Sequence, residues 1–448
     1  MNMKHETKPT TVPETTQQVG EVLLRWSWTE RAVWTERMLT ALEQGVKGER
    51  WFRLFDKVFS ERNLRAATGK VVANQGAPGV DHVTVEFFER DLEANLKKLS
   101  DQLRNGSYRP QAIRRKWIPK PGSNEQRPLG IPTVRDRVVQ AALVHVIEPI
   151  FEREFAERSY GFRPGRGCKD ALRHVDSLLR EGYVYVVDAD LKSYFDTIPH
   201  DQLMARLRER IADGRVLSLI EYFLQAGIMT DMGEIIPEEG APQGAVLSPL
   251  LSNVYLNPLD HFVASNGLEM VRYADDFVIL CRSEEDAKRA LELVQQWTAS
   301  AGLMLHPTKT RIVNVRTEGF DFLGYHFETV KDGSIRHWPR RKATQKLKET
   351  LRKKTKRTNG HSLSYIVRDV TITVRGWFAY FQHSYYTTFP PLDSWIRMRL
   401  RSILRKRCKR RGRGRGKDHQ RWPNRFFTEH GLFNLEMAYQ LVVRSSRR

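Results

Sequence analysis

Two adjacent aspartates lie between apolar segments near the middle of the sequence. The stretch from Met270 to Leu280 reads MVRYADDFVIL, with Asp275 and Asp276 at its centre. Apolar segments on either side of a polar pair predict two strands joined by a tight turn. Neighbouring carboxylates repel each other beside apolar groups, and a hard cation such as Mg²⁺ would remove that cost. The alternative is an ordinary solvated turn, since Asp is common in turns.

A second group of acids follows another apolar segment. Residues 183–187 predict a strand, which ends in Asp188-Ala189-Asp190. If Asp190 lies beside Asp275 and Asp276, the three carboxylates form a cage for two Mg²⁺ ions. In phosphoryl transfer one such ion activates the attacking hydroxyl and the other steadies the triphosphate. Asp188 lies on the same strand face as Asp190 and has either a supporting or a purely structural role, and the same choice is open for Asp196.

Cations and an aromatic residue accompany these acids. The segment RRKWIPKPGSNEQRPLGIP predicts a hairpin with Lys120 and Arg127 beside its turn. Both could bind a triphosphate, Arg through its planar fork and Lys as a point charge, although spacing alone favours solvated surface charge. Phe195, five residues after Asp190, could contact the 2′ position of a sugar. The loop beginning at Gly240 carries further glycines that would let backbone approach a ligand closely.

The elements that must hold these residues follow from apolar spacing. Helical patterns cover residues 28–67, 87–99, 135–155, 284–301, 343–356, 363–381 and 392–407, and the stretch before Tyr255. Alternation around Asp332-Gly333 predicts a further hairpin. Residues 1–20 are polar and predicted to be disordered, and residues 410–417 alternate Arg and Gly and are predicted to be flexible until they meet RNA.

The positive charge is concentrated at one end of the sequence. The chain has 448 residues and a net charge of +21. From Lys331 onward there are 31 Lys and Arg against 7 Asp and Glu, a net charge of +24, whereas residues 1–330 carry a net charge of −3. This asymmetry predicts a nucleic-acid-binding module appended to a near-neutral body.

Composition excludes several classes of protein. The apolar content is 40%, with no run long enough to span a membrane and no signal-peptide core near the start. Cys168, Cys281 and Cys408 are far apart, so neither a zinc site nor a disulfide framework is indicated. A reducing cytoplasmic setting is expected.

Taken together and in order, these motifs resemble the reverse transcriptases encoded by bacterial group II introns, also called intron maturases. The resemblance runs from about Trp34 to Leu441. The matching segments are NQGAPGVD, IPKPGSNEQRPLGIPTVRDRVVQ, SYGFRPGRG, DADLKSYFDTIPH, GAPQGAVLSPLLSNVYL, RYADDF, GLMLHPTKT, GFDFLGYHF and RGWFAYF. YADD occurs in other reverse transcriptases, whereas the Gly79-Val80-Asp81 segment and RGWFAYF point to the intron group.

The resemblance implies roles for individual residues. The metal-binding and catalytic positions fall on Asp190, Asp275 and Asp276. Nucleotide-binding positions fall on Lys120 and Arg127 for the triphosphate, Phe195 for the sugar and Gln243 beside the incoming nucleotide. Lys309 matches a lysine that follows the palm hairpin and is assigned a supporting role.

The resemblance also implies an α+β fold and a domain order. A right-hand polymerase with fingers and an antiparallel palm sheet is expected over residues 21–335. A helical thumb, or domain X, is expected over residues 336–417, and an aromatic, apolar element over residues 418–448. RNA binding is assigned to basic thumb residues Arg397, Arg399, Arg401, Arg405, Lys406, Arg407, Lys409, Arg410, Arg411, Arg413 and Arg415.

The implied activity is RNA-directed DNA synthesis with two Mg²⁺ ions. The expected partners are group II intron RNA, an RNA template with a DNA primer, dNTPs and target DNA, with no membrane. No HNH pattern follows the thumb, so DNA cleavage is not expected and the primer would come from elsewhere. The alternatives are a splicing cofactor with little polymerase role and a host-defence reverse transcriptase. The intact acids disfavour the first, and the full thumb disfavours the second.

Overall fold

The computed structural model describes residues 22–119, 126–230 and 233–445. The predicted disordered tail at 1–20 and the triphosphate candidate Lys120 lie outside these ranges. Among the described residues, no helix is long and apolar enough to cross a membrane.

Helices form most of the described chain. They are α1 (Glu36–Gln44), α2 (Phe55–Val58), α3 (Glu61–Asn74), α4 (Val85–Arg90), α5 (Leu92–Arg104), α6 (Val134–Glu152), α7 (Cys168–Arg180), α8 (His200–Arg210), α9 (Gly214–Leu224), α10 (Ser248–Ser265), α11 (Glu284–Ser300), α12 (Arg341–Lys354), α13 (Leu363–Phe381), α14 (Phe389–Arg407), α15 (Lys417–Arg421), α16 (Asn424–Glu429) and α17 (Leu435–Ser445), with 3₁₀ turns at Lys47–Glu49, Tyr194–Asp196 and Tyr386–Thr388.

The strands form three sheets. They are β1 (Ile113–Pro119), β2 (Gln126–Ile131), β3 (Tyr185–Asp190), β4 (Ile228–Thr230), β5 (Gly233–Ile235), β6 (Glu269–Tyr273), β7 (Asp276–Cys281), β8 (Arg311–Asn314), β9 (Phe320–Phe322), β10 (Tyr325–Thr329) and β11 (Ile335–Pro339). The sheet orders are β2-β1-β4-β5, β6-β7-β3-β8 and β11-β10-β9. The predicted α+β class is confirmed.

Contacts divide the chain into two compact units. The first comprises residues 1–175, 189–279 and 285–311, and the second comprises residues 176–188, 280–284 and 312–448. Strands β3 and β7 each contribute residues to both units. The domain limits expected from the sequence, with a change at 335, remain a prediction.

The first unit is built around two helices that are buried on nearly all sides. In α6, residues Val138, Val139 and Leu143 are fully buried, and α10 buries Leu256, Leu259 and Val263 in the same way. Their buried residues are not confined to one face, as they would be in a surface helix. These two helices therefore form the interior scaffold on which the surrounding loops and strands are placed.

The second unit has a core shared by the thumb helices and the C-terminal element. Leu351 of α12, Val370 of α13 and Leu400 of α14 pack in one cluster with Phe427 and Leu435. Asp393 of α14 is also buried and accepts hydrogen bonds from the backbone N–H groups of Leu435 (3.1 Å) and Glu436 (3.0 Å). These bonds satisfy donors at the start of α17, which otherwise lack intrahelical partners. The expected apolar element after residue 418 is thus an integral part of this unit.

Several local predictions differ from the structure at element boundaries. The helical pattern over residues 28–67 is divided into α1, α2 and the start of α3, and the pattern over 87–99 is interrupted at Asp91. The strand expected at 183–187 runs instead from Tyr185 to Asp190. The hairpin around Asp332-Gly333 is present, with Thr329 opposite Ile335. Apolar spacing identifies a buried face, whereas the points where the chain turns depend on packing.

Candidate active site

The adjacent aspartates lie in the turn between β6 and β7. Strand β6 ends at Tyr273 and β7 begins at Asp276, which leaves Ala274 and Asp275 to make the turn. Ala274 has φ +58°, a left-handed conformation that side chains other than Gly, Asn and Asp seldom adopt. Both acids are half-buried. The predicted hairpin is therefore present, and its turn has an unusual backbone.

Asp190 is the last residue of β3 and forms an ion pair with Lys309. The Lys309 Nζ lies 2.5 Å from Asp190 Oδ2, and the backbone carbonyl of Asp190 accepts a hydrogen bond from His306 N–H at 2.7 Å. Lys309, for which the sequence indicated only a supporting role, thus neutralises a candidate metal ligand directly. Asp188 is half-buried on the same strand.

The electrostatics of Asp275 connect these groups. Burial raises the pKa of the Asp275 carboxyl, and the nearby negative charge of Asp190 raises it further. The guanidinium groups of Arg127 and Arg272 act in the opposite direction. Asp190 and Arg127 are therefore both close enough to Asp275 to affect the pKa of its carboxyl.

The full three-carboxylate cage is not preformed. Within the described ranges, no three or more His, Cys, Asp or Glu side chains are arranged so as to hold a metal ion. The role of Asp276 as the third metal-binding acid stays a prediction. The donor chemistry nevertheless fits a hard divalent cation, because Asp190 and Asp275 offer only oxygen and repel each other at a partly buried position.

A cavity of about 340 Å³ contains two further predicted residues, Phe195 and Gln243. Its wall also includes Arg115 and Trp117 of β1 and Pro128 of β2. Phe195 is held edge-on against Tyr194, with ring centroids 5.4 Å apart. The volume is in the range of small-molecule sites. The cavity is therefore lined by two aromatic side chains and by the loop that carries Gln243.

The glycines near Gln243 allow two parts of the backbone to lie close together. At Gly240 (φ +90°) a Cβ would lie 2.9 Å from the Phe195 carbonyl oxygen, and at Gly244 (φ +104°) it would lie 2.6 Å from the Gly130 carbonyl oxygen. Gly130 N–H in turn donates to the Gln243 carbonyl at 2.7 Å. These contacts fix the cavity wall, and the expected close approach of this loop to a ligand stays a prediction.

The basic residues predicted to bind RNA fall into three groups by exposure. Lys406, Arg407, Lys409, Arg410, Arg411, Arg413 and Arg415 are exposed, Arg397, Arg399 and Arg405 are half-buried, and Arg401 is buried. Arg401 donates to the Trp422 carbonyl at 2.9 Å and to Asn424 Oδ1 at 2.7 Å. The predicted role of Arg401 in RNA binding is therefore corrected: this buried side chain joins α14 to the C-terminal element.

The Arg/Gly segment is held in place rather than free. Arg405 Nε donates to the Arg411 carbonyl at 2.7 Å and forms an ion pair with buried Asp418. Asp418 also accepts a hydrogen bond from Arg415 N–H at 3.0 Å. The predicted flexibility of residues 410–417 therefore does not describe this backbone, which is anchored while the side chains of Arg410, Arg411, Arg413 and Arg415 remain exposed.

Sequence reasoning missed a group of cations around Trp395. The Arg399 Cζ lies 5.6 Å from the indole centroid, and Arg352 Cζ and Lys348 Nζ each lie 5.8 Å from it. The π face of an indole attracts cations, which favours this gathering of like charges. The contacts join α12 to α14, a pairing that spacing within a single helix does not reveal.

Two segments of the chain match known protein families. Residues 118–327 match the reverse transcriptase (RNA-dependent DNA polymerase) family, and residues 344–422 match the group II intron maturase-specific domain. The first range contains the acids, Arg127, Phe195 and Gln243. The second contains α12, α13 and α14.

Individual relatives agree with these matches. Protein YkfC of Escherichia coli is 35% identical over 315 residues, which cover 61% of this chain and 82% of that protein. Group II intron-encoded protein LtrA of Lactococcus lactis is 40% identical over 195 residues, covering 43% of this chain and 32% of LtrA. A solved partial Cas6-RT-Cas1–Cas2 complex aligns at 27% identity, covering 55% of this chain and 41% of that one, with a TM-score of 0.36.

The fold and the match of residues 118–327 define a reverse transcriptase, an RNA-directed DNA polymerase that depends on a divalent metal. With the maturase-specific domain behind it, the chain belongs to the family of group II intron reverse transcriptases and maturases. Membership of this family implies nucleic-acid partners, including intron RNA. The chain spans most of YkfC but only about a third of LtrA.

Proposed function

We propose that this protein copies RNA into DNA by adding dNTPs to a DNA primer, and that it binds a group II intron RNA and supports splicing and mobility. The observations that carry the proposal are that β3, which ends at Asp190, and β7, which begins at Asp276, are neighbours in one sheet, and that Lys309 forms an ion pair with Asp190. In the overall reaction, the primer 3′-hydroxyl bonds to the α-phosphorus of the dNTP, its proton is lost, and pyrophosphate leaves.

Each residue group has a defined task in this proposal. Asp190, Asp275 and Asp276 would hold two Mg²⁺ ions, which supply activation of the hydroxyl and stabilisation of the triphosphate charge. Arg127 would bind the triphosphate, and Lys120 is proposed for the same task from the sequence alone. Phe195 would close the space beside the sugar C2′, and Gln243 would contact the incoming nucleotide. Lys309 would orient the Asp190 carboxylate through their ion pair.

RNA binding is proposed for the exposed basic side chains of the second unit. The anchored segment carrying Arg410, Arg411, Arg413 and Arg415 and the cluster around Trp395 both present cations on a fixed backbone. Cations fixed in this way lose less conformational entropy when they bind phosphates. The intron RNA and an RNA template with its DNA primer are the proposed ligands, with target DNA as the integration partner and the bacterial cytoplasm as the setting.

The activity is tested by Asp275→Asn. The amide keeps the shape of the carboxylate but removes its charge, so primer extension on an RNA template with dNTPs and Mg²⁺ should fall by about 10²-fold or more. Binding of the template RNA should persist, because the second unit is unchanged. Primer extension at the parental rate would refute the assignment of Asp275.

A splicing role without much polymerisation is the second candidate, and the match of residues 344–422 to the maturase-specific domain favours it. The variant Asp275→Asn separates the two, because splicing assistance does not require the acids. A group II intron transcript that splices equally well with parent and variant, combined with absence of primer extension by the parent, would favour the second candidate. A host-defence role has no specific support among the described residues.

A further inference from the structure

A buried ion pair lies directly behind the aspartate turn. Arg272, the residue before Tyr273 on β6, has 0% of its surface exposed, and Asp260 of α10 has 5%. The Arg272 Nε lies 2.7 Å from Asp260 Oδ1, and Nη2 contacts Asp260 Oδ2. Arginine is seldom fully buried, and burial of a charge pair is costly unless its geometry is good. Burial of this ion pair therefore indicates a role beyond packing.

The remaining donor of Arg272 reaches the turn itself. Its Nη1 donates to the Ala274 carbonyl at 2.9 Å and to Asn253 Oδ1 at 3.0 Å. Ala274 is the left-handed residue that places Asp275 and Asp276. The planar guanidinium of Arg272 thus binds the Asp260 carboxylate through Nε and Nη2 and the Ala274 carbonyl through Nη1.

A second contact restrains the same turn from the loop before α7. Asn253 Nδ2 donates to the Gly161 carbonyl at 2.8 Å. A Cβ built on Gly161 would lie 2.2 Å from Ala274 N, so the two backbones are in direct contact. Tyr160 N–H also donates to the Arg272 carbonyl at 2.9 Å. Arg272 and Asn253 therefore join three segments at the peptide that precedes Asp275.

We propose that Arg272, oriented by Asp260, is a positioning residue for DNA synthesis: it holds the left-handed turn at Ala274 and thereby sets the places of Asp275 and Asp276. The proposal rests on the proposed polymerase function. Lysine could keep the charge opposite Asp260 but has no rigid fork to bind Asp260 and the Ala274 carbonyl together. A displacement of about 1 Å at reacting groups is enough to slow a reaction by about 10²-fold.

The first test is Arg272→Lys, which retains a paired charge. We expect single-nucleotide incorporation at saturating dNTP to slow by about tenfold to a hundredfold, with a smaller change in the KM for dNTP. Mn²⁺ binding to the protein alone, measured by water-proton relaxation, should weaken as well. Unchanged incorporation and unchanged Mn²⁺ affinity would overturn the proposal.

The second test removes both charges with Arg272→Met/Asp260→Leu, so that no unpaired buried charge remains. We expect the double variant to keep a melting temperature close to that of the parent. Its single-nucleotide incorporation should nevertheless be slower, and its Mn²⁺ binding weaker, than in the parent. If the pair serves folding alone, the double variant regains parental incorporation, and this result would overturn the proposal.

Asp275→Asn, measured in the same two assays, distinguishes failure of this inference from failure of the proposed function. Loss of incorporation and of Mn²⁺ affinity in Asp275→Asn, together with parental values in both Arg272 variants, would overturn only the role of Arg272. A parent protein that shows neither incorporation nor Mn²⁺ binding would overturn the proposed function, and this inference with it.

Discussion

At the scale of single residues, the ion pair between Lys309 and Asp190 shows how this site manages its charge. Burial and the negative charge of Asp190 raise the pKa of the Asp275 carboxyl, and Lys309 places a positive charge 2.5 Å from Asp190. An ammonium is a compact point charge that can move aside on its flexible stem. Lys309 can therefore neutralise Asp190 without permanently blocking its oxygen atoms.

Phe195 gives a prediction about sugar selection. Its side chain lines the cavity that also contains Gln243, and it is packed edge-on against Tyr194. If this ring closes the space beside C2′, Phe195→Val should raise the efficiency of GTP insertion relative to dGTP by about 10-fold or more, because a clash discriminates strongly against a larger group. Single-nucleotide insertion kinetics with both substrates provide the measurement.

Phe87→Val is a suitable control for that experiment. Phe87 is 56% exposed on α4 and does not line the cavity. The control should keep the parental preference for dGTP. An equal change in both variants, or no change in Phe195→Val, would place the sugar gate elsewhere.

At the scale of elements, the aspartate turn depends on the loop before α7. Gly161→Ala would force a methyl group against the backbone of Ala274, where only 2.2 Å is available. We expect primer extension to fall by about tenfold or more because the turn must shift. Primer extension and the melting temperature should both be measured, since the same strain also lowers stability.

Gly69→Ala is the matched control. Gly69 lies within α3, and a Cβ there would meet nothing within 4 Å. Alanine in an exposed helix interior stabilises by about 0.5–1 kcal/mol relative to glycine, so this variant should be slightly more stable and fully active. A fully active Gly161→Ala would contradict the predicted dependence of the turn on this loop.

Helix α6 provides a prediction about pH. Burial raises the pKa of Glu148 to about 7, with the charge of Glu152 adding to the effect and Lys70 opposing it. When the pKa of a carboxyl is higher in the folded than in the unfolded protein, the folded state loses stability as the pH rises above the unfolded pKa, and the loss is complete above the folded pKa. Glu148→Gln should therefore be more stable than the parent at pH 8 by about 1–3 kcal/mol, and no more stable at pH 4.5.

Thermal unfolding across this pH range tests the prediction, with Glu89→Gln as control. Glu89 is an exposed residue of α4 in the same unit. Its removal should leave the pH dependence of the melting temperature unchanged. A constant difference between Glu148→Gln and the parent at all pH values would show that Glu148 does not titrate as expected.

At the scale of the whole molecule, charge is segregated along the chain. Residues 331–448 carry a net charge of +24, and residues 1–330 carry −3. Replacing Arg410, Arg411, Arg413 and Arg415 together by Ala should weaken RNA binding and reduce the slope of log K against log salt by up to about 3, since each phosphate contact contributes about 0.7–0.9. Binding titrations at several salt concentrations give this slope.

The control removes the same number of positive charges from the first unit, at exposed Arg37, Arg62, Lys97 and Lys98. It should change the slope much less than the segment variant does. Equal slopes in the two variants would show that net charge alone matters. An unaltered slope in the segment variant would assign RNA binding to α12 and the cluster around Trp395 instead.

The sequence by itself identified the chemistry and the class of this protein. Acids, glycines and basic residues at fixed spacing indicated the hairpin at Asp275, the strand ending at Asp190 and the family to which the chain belongs. Such features are local, because turns and strands depend mainly on neighbouring residues. The segregation of charge could likewise be read without coordinates.

Only the tertiary structure decided which charged residues face solvent and which hold the fold together. Arg401 and Arg272 are indistinguishable from exposed arginines in the sequence, yet both are buried and bonded to residues distant along the chain. The same holds for Lys309, whose partner Asp190 is 119 residues away. Burial and long-range pairing arise from the packing of whole elements, and this is why residue type and spacing could not assign these roles.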